Sequence, residues 1–275
     1  MEITEKTIDL EKAIRNGNNR FLKSLPAFAI KLLRRLFCEN EMNYAIYRSR
    51  HLEGVPFVKD VLEGWGIKIN IKGEDNIPSG GRFIFVSNHP LGAIDAMGFF
   101  VVISRHFPEV VSPANQLLNH IPNMRSLILG LDVFGRTSRE TAKKLDELFA
   151  SEKQVMIFPA GEVSRKRRGK ISDIEWQKSF ITKAVQHKRD IIPVHISGRN
   201  SNLFYNVANI RKFLGIKMYI ETILLPREMI GRRNSEVTYT IGKPVIWKSL
   251  TDGKAPLEWA QEIKRIVYSL PSYYA

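Results

Sequence analysis

The sequence predicts an α/β protein: a mixed, mostly parallel sheet flanked by helices, with an N-terminal amphipathic helical segment. Three observations predict it. From residue 67 onward, short apolar runs alternate with helix-length amphipathic stretches, as in βαβ units. Residues 8–66 instead carry helical periodicity throughout. The 275 residues, 44% of them hydrophobic, supply enough apolar surface for a core, with no internal repeat or low-complexity tract.

The helical segment begins over 9–15 and is interrupted at Gly17-Asn18. Over 19–37, Phe21, Leu22, Leu25, Phe28, Ala29, Leu32, Leu33 and Leu36 recur at helical spacing, with Lys23, Lys31, Arg34 and Arg35 among them. Pro26 should start or kink this helix, because its ring fixes φ and it has no N–H. A basic amphipathic helix suits two situations equally: lying on an anionic membrane, or packing on a core with its charges solvated.

After Gly64-Trp65-Gly66 the pattern changes. Residues 67–71 alternate with period two and read as an edge or half-exposed strand, followed by a turn at 76–81. Further strands are expected over 83–87, 109–112, 131–134, 155–158, 191–197, 218–223 and 237–241. Helices are expected over 94–106, 115–128, 138–151, 174–187 and 256–269. The last strands have little helix between them and are expected to pair antiparallel at an edge. The chain thus divides into a helical segment, 1–64, suited to membrane-surface docking, and an α/β domain, 65–275.

The chain is basic, with 42 Lys+Arg against 28 Asp+Glu and a net charge of +14. That balance favours nucleic acid, acidic headgroups, phosphorylated substrates or acidic carrier proteins as partners. No nucleic-acid motif or aromatic stacking pattern accompanies the basic runs, so no nucleic-acid partner is expected. The one cysteine, Cys38, lies in an apolar helical pattern and reads as a small buried hydrophobe. No disulfide can form within the chain, which fits a reducing compartment. The N-terminus does not read as a signal peptide, and the longest apolar run, 96–104, is about half of a transmembrane helix. No Cys/His spacing suggests a metal site.

Four segments stand at expected strand ends, where α/β sheets place their sites. The first, Ser87-Asn88-His89-Pro90-Leu91-Gly92-Ala93-Ile94-Asp95, delivers a histidine and an aspartate at a strand-to-helix junction. A neutral imidazole takes a proton near pH 7, and a carboxylate on its other nitrogen fixes its tautomer. The competing reading makes Asp95 a helix cap and His89 a packed loop residue. The second segment runs from Gly130 to Arg136, a short strand whose arginine suits phosphate or carboxylate. The third, Phe158-Pro159-Ala160-Gly161-Glu162-Val163-Ser164-Arg165, enters the densest basic run, Arg165 to Lys170. Amides at and around Gly161 offer an anion or oxyanion site. The fourth, Ile192-Pro193-Val194-His195, is a strand with a proline, suggesting a bulge or pocket lining. His195 reads as a core histidine rather than a base.

In order and spacing, these blocks resemble the glycerolipid acyltransferase family that includes 1-acylglycerol-3-phosphate acyltransferases, the PlsC-like fold. That family carries Asn-His-x4-Asp, Gly-x-Ile-Phe-Ile-x-Arg, Phe-Pro-Glu-Gly-Thr-Arg-Ser and Val-Pro-Val blocks. The resemblance spans roughly residues 65–247, with Ile241-Gly242-Lys243-Pro244-Val245 matching a late strand and turn. Two departures stand out. Five residues, not four, separate His89 from Asp95, and Ala160 replaces the third block's glutamate while Glu162 follows two positions later.

The resemblance implies acyl transfer from an acyl thioester, on acyl carrier protein or coenzyme A, to a lyso-lipid hydroxyl in membrane lipid synthesis. It implies no cofactor or metal. His89 would be the general base and Asp95 its orienter. Asn88, Arg136, Pro159, Gly161, Glu162, Ser164 and Arg165 would line the substrates. It also implies a peripheral protein on the cytoplasmic face of the inner membrane, held by anionic lipid. The departures suggest a different acceptor, such as the hydroxyl of an N-(3-hydroxyacyl) amino acid of an ornithine- or glycine-type lipid. The competing classes are a nucleic-acid protein and a non-catalytic membrane-surface protein.

Overall fold

The computed structural model describes residues 6–17, 20–131, 139–216 and 218–273. Its N-terminal part is helical: α1 (Leu10–Asn16), α2 (Arg20–Lys23), α3 (Ala27–Leu36), α4 (Glu39–Arg48) and α5 (Gly54–Gly64). Asp9 caps α1 by accepting from the Lys12 N–H, and α3 starts directly after Pro26. α3 is shorter than the stripe over 19–37. Ile30, outside that stripe, is its buried residue, and Phe28 and Leu32 face outward. Cys38 is half-buried rather than buried, and burial with Glu41 nearby pushes its thiol pKa up.

The remaining chain alternates β1 (Lys68–Lys72), β2 (Phe83–Ser87), α6 (Ala93–Ser104), β3 (Val110–Asn115), β4 (Ile128–Leu131), α7 (Arg139–Ala150) and β5 (Gln154–Ile157). Then follow β6 (Arg165–Arg167), β7 (Lys170–Ser172), α8 (Ser179–His187), β8 (Asp190–Ile196), α9 (Asn202–Phe213), α10 (Leu225–Ile230), β9 (Glu236–Ile241) and α11 (Pro256–Tyr273). Seven strands form one sheet in the order β1-β9-β8-β2-β5-β3-β4. Every neighbouring pair is parallel except β8 and β9. The mostly parallel α/β architecture and the edge position of β1 match expectation. β8 and β9 pair antiparallel as anticipated, but not at an edge, because β1 covers β9.

Several elements differ from the sequence reading. The helix expected over 115–128 is two 3-10 turns, Gln116–His120 and Pro122–Leu127. Pro122 forces Ile121 into extended backbone and splits the run. The strand expected over 131–134 is β4, ending at Leu131, and the rest of that expectation lies outside the described residues. The strand expected over 218–223 is instead a 3-10 turn, Ile220–Leu224, whose Glu221 is buried. α9 was not anticipated; Ser201 caps it by accepting from the Phe204 N–H. The basic run over 165–170 is part of a two-stranded hairpin, β6 with β7, turning at Arg168 and Gly169, both at positive φ. α8 starts five residues later than the 174 expected.

Core packs on both faces of the sheet. Phe57, Val61, Phe99 and Val102 from α5 and α6 meet Phe85, Met156, Ile192 and Tyr239. On the other face Phe180, Ile263 and Val267 from α8 and α11 meet Ile84, Val86 and Val155. β2 is buried on both faces, which is why it reads as a continuous apolar run rather than an alternating one. At the strands' N-terminal edge, Arg189 is fully buried and donates only to backbone carbonyls. Nε reaches Phe149 O (2.7 Å), and Nη1 reaches Lys153 O (2.8 Å) and Phe83 O (3.3 Å). Nη2 donates to Ser151 O. Burial lowers its pKa to about 10, so it stays charged at neutral pH. The opposite edge carries the first and third blocks, and the fourth lies within β8, which runs toward that edge.

Candidate active site

The site grows out of the C-terminal end of β2. Asn88 continues the β2–β8 pairing with its side chain: Oδ1 accepts from Ile196 N–H (2.7 Å) and Nδ2 donates to Ile196 O (2.9 Å). Its amide is thereby committed to the sheet. The chain then turns at His89, and Gly92 adopts φ 91°, ψ −128°, a region open to glycine. This turn absorbs the fifth intervening residue and brings Asp95 back to His89.

Asp95 is the third residue of α6 and fully buried. One oxygen, Oδ2, accepts from Leu91 N–H (2.8 Å) and Gly92 N–H (3.0 Å), and lies 3.0 Å from His89 Nδ1. Helix capping and imidazole orientation, which the sequence offers as rivals, are performed by the same atom. Because two N–H groups already point at Oδ2, it acts as an acceptor toward the ring as well. Nδ1 therefore carries the proton and Nε2 keeps its lone pair. Burial raises the Asp95 pKa, opposed by the hydrogen bond from His89 and the two amides. Among the described residues, Asp95 Oδ1 has no hydrogen-bond partner. Tyr239 Oη bridges Ile94 O (3.2 Å) and Asp95 O (3.1 Å), holding the first turn of α6 against β9.

The imidazole stacks on Phe158 of the third block, with ring centroids 4.0 Å apart and planes 21° apart. His89 O accepts from Ser164 N–H (2.7 Å), joining the first and third blocks through backbone. Sequence reasoning missed Asp173, a buried carboxylate that clamps both blocks. Its Oδ1 accepts from Ser164 Oγ (2.5 Å) and His89 N–H (3.3 Å), and its Oδ2 from Trp176 Nε1 (2.9 Å). In sequence, Ile171-Ser172-Asp173-Ile174-Glu175 gives no sign of that role.

Pro159 is buried, and its carbonyl accepts from Gln177 N–H (2.9 Å). Gly161 is exposed at φ +69°, but its own N–H is engaged, donating to Phe158 O at 3.0 Å. That corrects the expectation of a free Gly161 amide; the turn geometry uses it. Arg165 is also not a solvent-facing anion ligand. It is buried and paired with Glu221 (3.0 Å) and Glu162 (3.3 Å), and Glu221 also meets Arg211 at 2.8 Å. The carboxylate at Glu162 thus answers a neighbouring arginine. Arg136 lies outside the described residues.

Beside the His89 loop, a cavity of about 360 Å³ is lined by Asn88, Pro90, Ser164, His195, Arg199 and Tyr268. His195 is half-buried, and burial lowers its pKa to about 4, against a weaker pull from Asp173. The unfolded chain, at the ordinary 6.5, binds this proton first as pH falls. Stability from this site is therefore full above pH 6.5 and falls toward pH 4, by at most about 1.4 kcal/mol per pH unit. Thermal melts across that window should show a smaller loss for His195→Gln than for wild type.

An oriented histidine at the C-terminal edge of an α/β sheet is an arrangement suited to activating a nucleophile. A family model described as acyltransferase matches residues 13–271, and the chain belongs to that acyltransferase family. It is 38% identical over 264 residues to a lyso-glycine lipid O-acyltransferase of Phocaeicola vulgatus, covering 96% of this chain and 95% of that one. It is likewise 38% identical over 264 residues to a lyso-glycine lipid O-acyltransferase of Bacteroides thetaiotaomicron, covering 96% and 97%. Among solved structures, it is similar to the 1-acyl-sn-glycerophosphate acyltransferase PlsC of Thermotoga maritima. That likeness has 20% identity, TM-score 0.45, and coverage of 87% of this chain and 95% of that chain. The protein is an acyltransferase acting on lipid acceptors. No described helix is long and apolar enough to cross a membrane.

Proposed function

We propose that the protein moves a fatty acyl group from an acyl thioester onto the free hydroxyl of an N-(3-hydroxyacyl) amino acid, completing a glycine-type lipid. The observation that carries this reading is the His89–Asp95 pair, set in a chain alike over 96% of its length to lyso-glycine lipid O-acyltransferases. His89 Nε2 takes the acceptor hydroxyl proton as the oxygen attacks the thioester carbon. Asp95 stabilises the imidazolium that forms. The tetrahedral oxyanion collapses, the C–S bond breaks, and the departing thiolate takes the proton back from Nε2. With the Gly161 amide engaged, the N–H groups of Glu162 and Val163 serve the oxyanion. They have no acceptor among the described residues, and one good donor contributes about 3 kcal/mol.

The acceptor's carboxylate pairs with Arg136. The donor's phosphates, on acyl carrier protein or coenzyme A, meet the exposed Arg167, Arg168 and Lys170 of the β6–β7 hairpin. α3 sets Phe28 and Leu32, with the exposed Lys31 and Arg35, against an anionic leaflet at the cytoplasmic face of the inner membrane. The test offers purified protein acyl-carrier-protein and coenzyme A donors, with lyso-glycine lipid, lyso-ornithine lipid and lysophosphatidic acid as acceptors. Ester formation on lyso-glycine lipid is expected. Exclusive use of lysophosphatidic acid overturns the acceptor assignment.

A further inference from the structure

We propose that the exposed apolar corner at Ile210, Phe213, Leu214 and Ile216 forms a second bilayer-contact element, which joins α3 in laying the His89 side of the protein on an anionic lipid surface. The idea extends the membrane reading of α3 above, and it does not depend on which acceptor is used. Phe213 at the end of α9 is 90% exposed, and Ile210, Leu214 and Ile216 beside it are also solvent-facing. A cluster of large apolar side chains on a water-facing corner marks a contact surface.

These side chains are held outward by ordered backbone. α9 ends in a left-handed glycine cap: Gly215, at φ +67°, donates to Lys212 O (3.1 Å), and Ile216 N–H donates to Arg211 O (3.0 Å). In that motif the residue after the glycine usually packs on the helix position that here is Arg211. Arg211 instead pairs with buried Glu221 and lies over the Tyr219 ring, 4.5 Å from its centroid. Ile216 therefore keeps its apolar side toward solvent.

Three observations select a bilayer as the occupant. α3 packs on the Ile220–Leu224 turn that follows this corner, with Leu36 against the cluster containing Leu224, and it carries the outward Phe28 and Leu32. The residue following the Ile220–Leu224 turn, Leu225, lies against Gly92, so the His89 loop packs on the segment that continues from this corner. Exposed Lys31, Arg35 and Lys212 fringe the apolar centre in a chain of net charge +14, the complement of an anionic leaflet.

The test is flotation of the full chain with vesicles of phosphatidylcholine and phosphatidylglycerol in equal parts. The double variant Phe213→Ser, Leu214→Ser should partition about tenfold less than wild type, from the apolar burial it forfeits. Its melting temperature, and its turnover of detergent-dispersed acceptor, should be unchanged. Ile246→Ser, an exposed apolar residue at the opposite edge of the sheet, should float as wild type does. Equal flotation of wild type and double variant overturns the proposal, as does a wild type that floats with no vesicle. Sedimentation showing a dimer that the double variant dissolves, with flotation unaltered, assigns the corner to self-association and also overturns it. Flotation as expected with exclusive transfer to lysophosphatidic acid sinks the acceptor assignment and leaves this one standing.

Discussion

His89→Ala is expected to lower kcat for acyl transfer by about a thousandfold, within the range general bases contribute, while leaving the melting temperature nearly unchanged. The imidazole is the titratable side chain at the end of β2, and its Nε2 is left free by the bond of Nδ1 to Asp95. The backbone of the loop does not depend on the ring. His89 O keeps Ser164, His89 N–H keeps Asp173, and Asp95 keeps the Leu91 and Gly92 amides. Steady-state turnover at saturating donor, alongside a thermal melt, separates the two effects. A variant with wild-type turnover would remove His89 from the chemistry.

Asp95→Asn is expected to lose about a hundredfold or more in kcat and, unlike His89→Ala, to lose stability as well. The amide oxygen keeps the Oδ2 position, because two N–H donors point at it. Its NH2 then falls where Oδ1 stands, a buried place with no hydrogen-bond partner among the described residues. An unsatisfied buried donor costs about 1–3 kcal/mol, a drop of several degrees in a chain of this size. Loss of the negative charge leaves the imidazolium without its counter-ion during proton transfer. Wild-type stability in Asp95→Asn would mean that the pocket around Oδ1 accommodates a donor.

The sheet was legible because its strands are bounded by strong punctuation. Gly66 precedes β1, Gly80-Gly81 precede β2, and β2's unbroken Phe83–Ser87 run declares a strand covered on both faces. The segments around 116–127 and 218–223 were misread because apolar spacing alone does not tell a 3-10 turn from regular structure. At 220–224 the deciding force is tertiary: Glu221 is drawn inward to Arg165 and Arg211, which lie 56 and 10 residues earlier in the chain. The same pairing explains Arg165. In sequence it is the first residue of a basic run, and in space it is one half of a buried ion pair with Glu221. The His89–Asp95 contact could be suspected from spacing. That it survives an extra residue depends on Gly92's backbone, which no periodicity reveals. Asp173 was invisible for a related reason: its partners Ser164, Trp176 and His89 are brought together only by the folded loop edge.

The carbonyl cage around Arg189 has an evolutionary consequence. It fastens the starts of β2 and β5 and the end of α7 from one side chain, at the edge of the sheet away from His89. Its partners are main-chain atoms, so they survive any substitution that preserves the local backbone trace. The strand order is thus moored at the edge opposite the His89 loop, which leaves the loops at the His89 edge free to drift in length and charge. An insertion such as the extra residue before Asp95 can be tried there without loosening the frame. A change in loop length or charge at that edge therefore leaves the frame of the sheet in place.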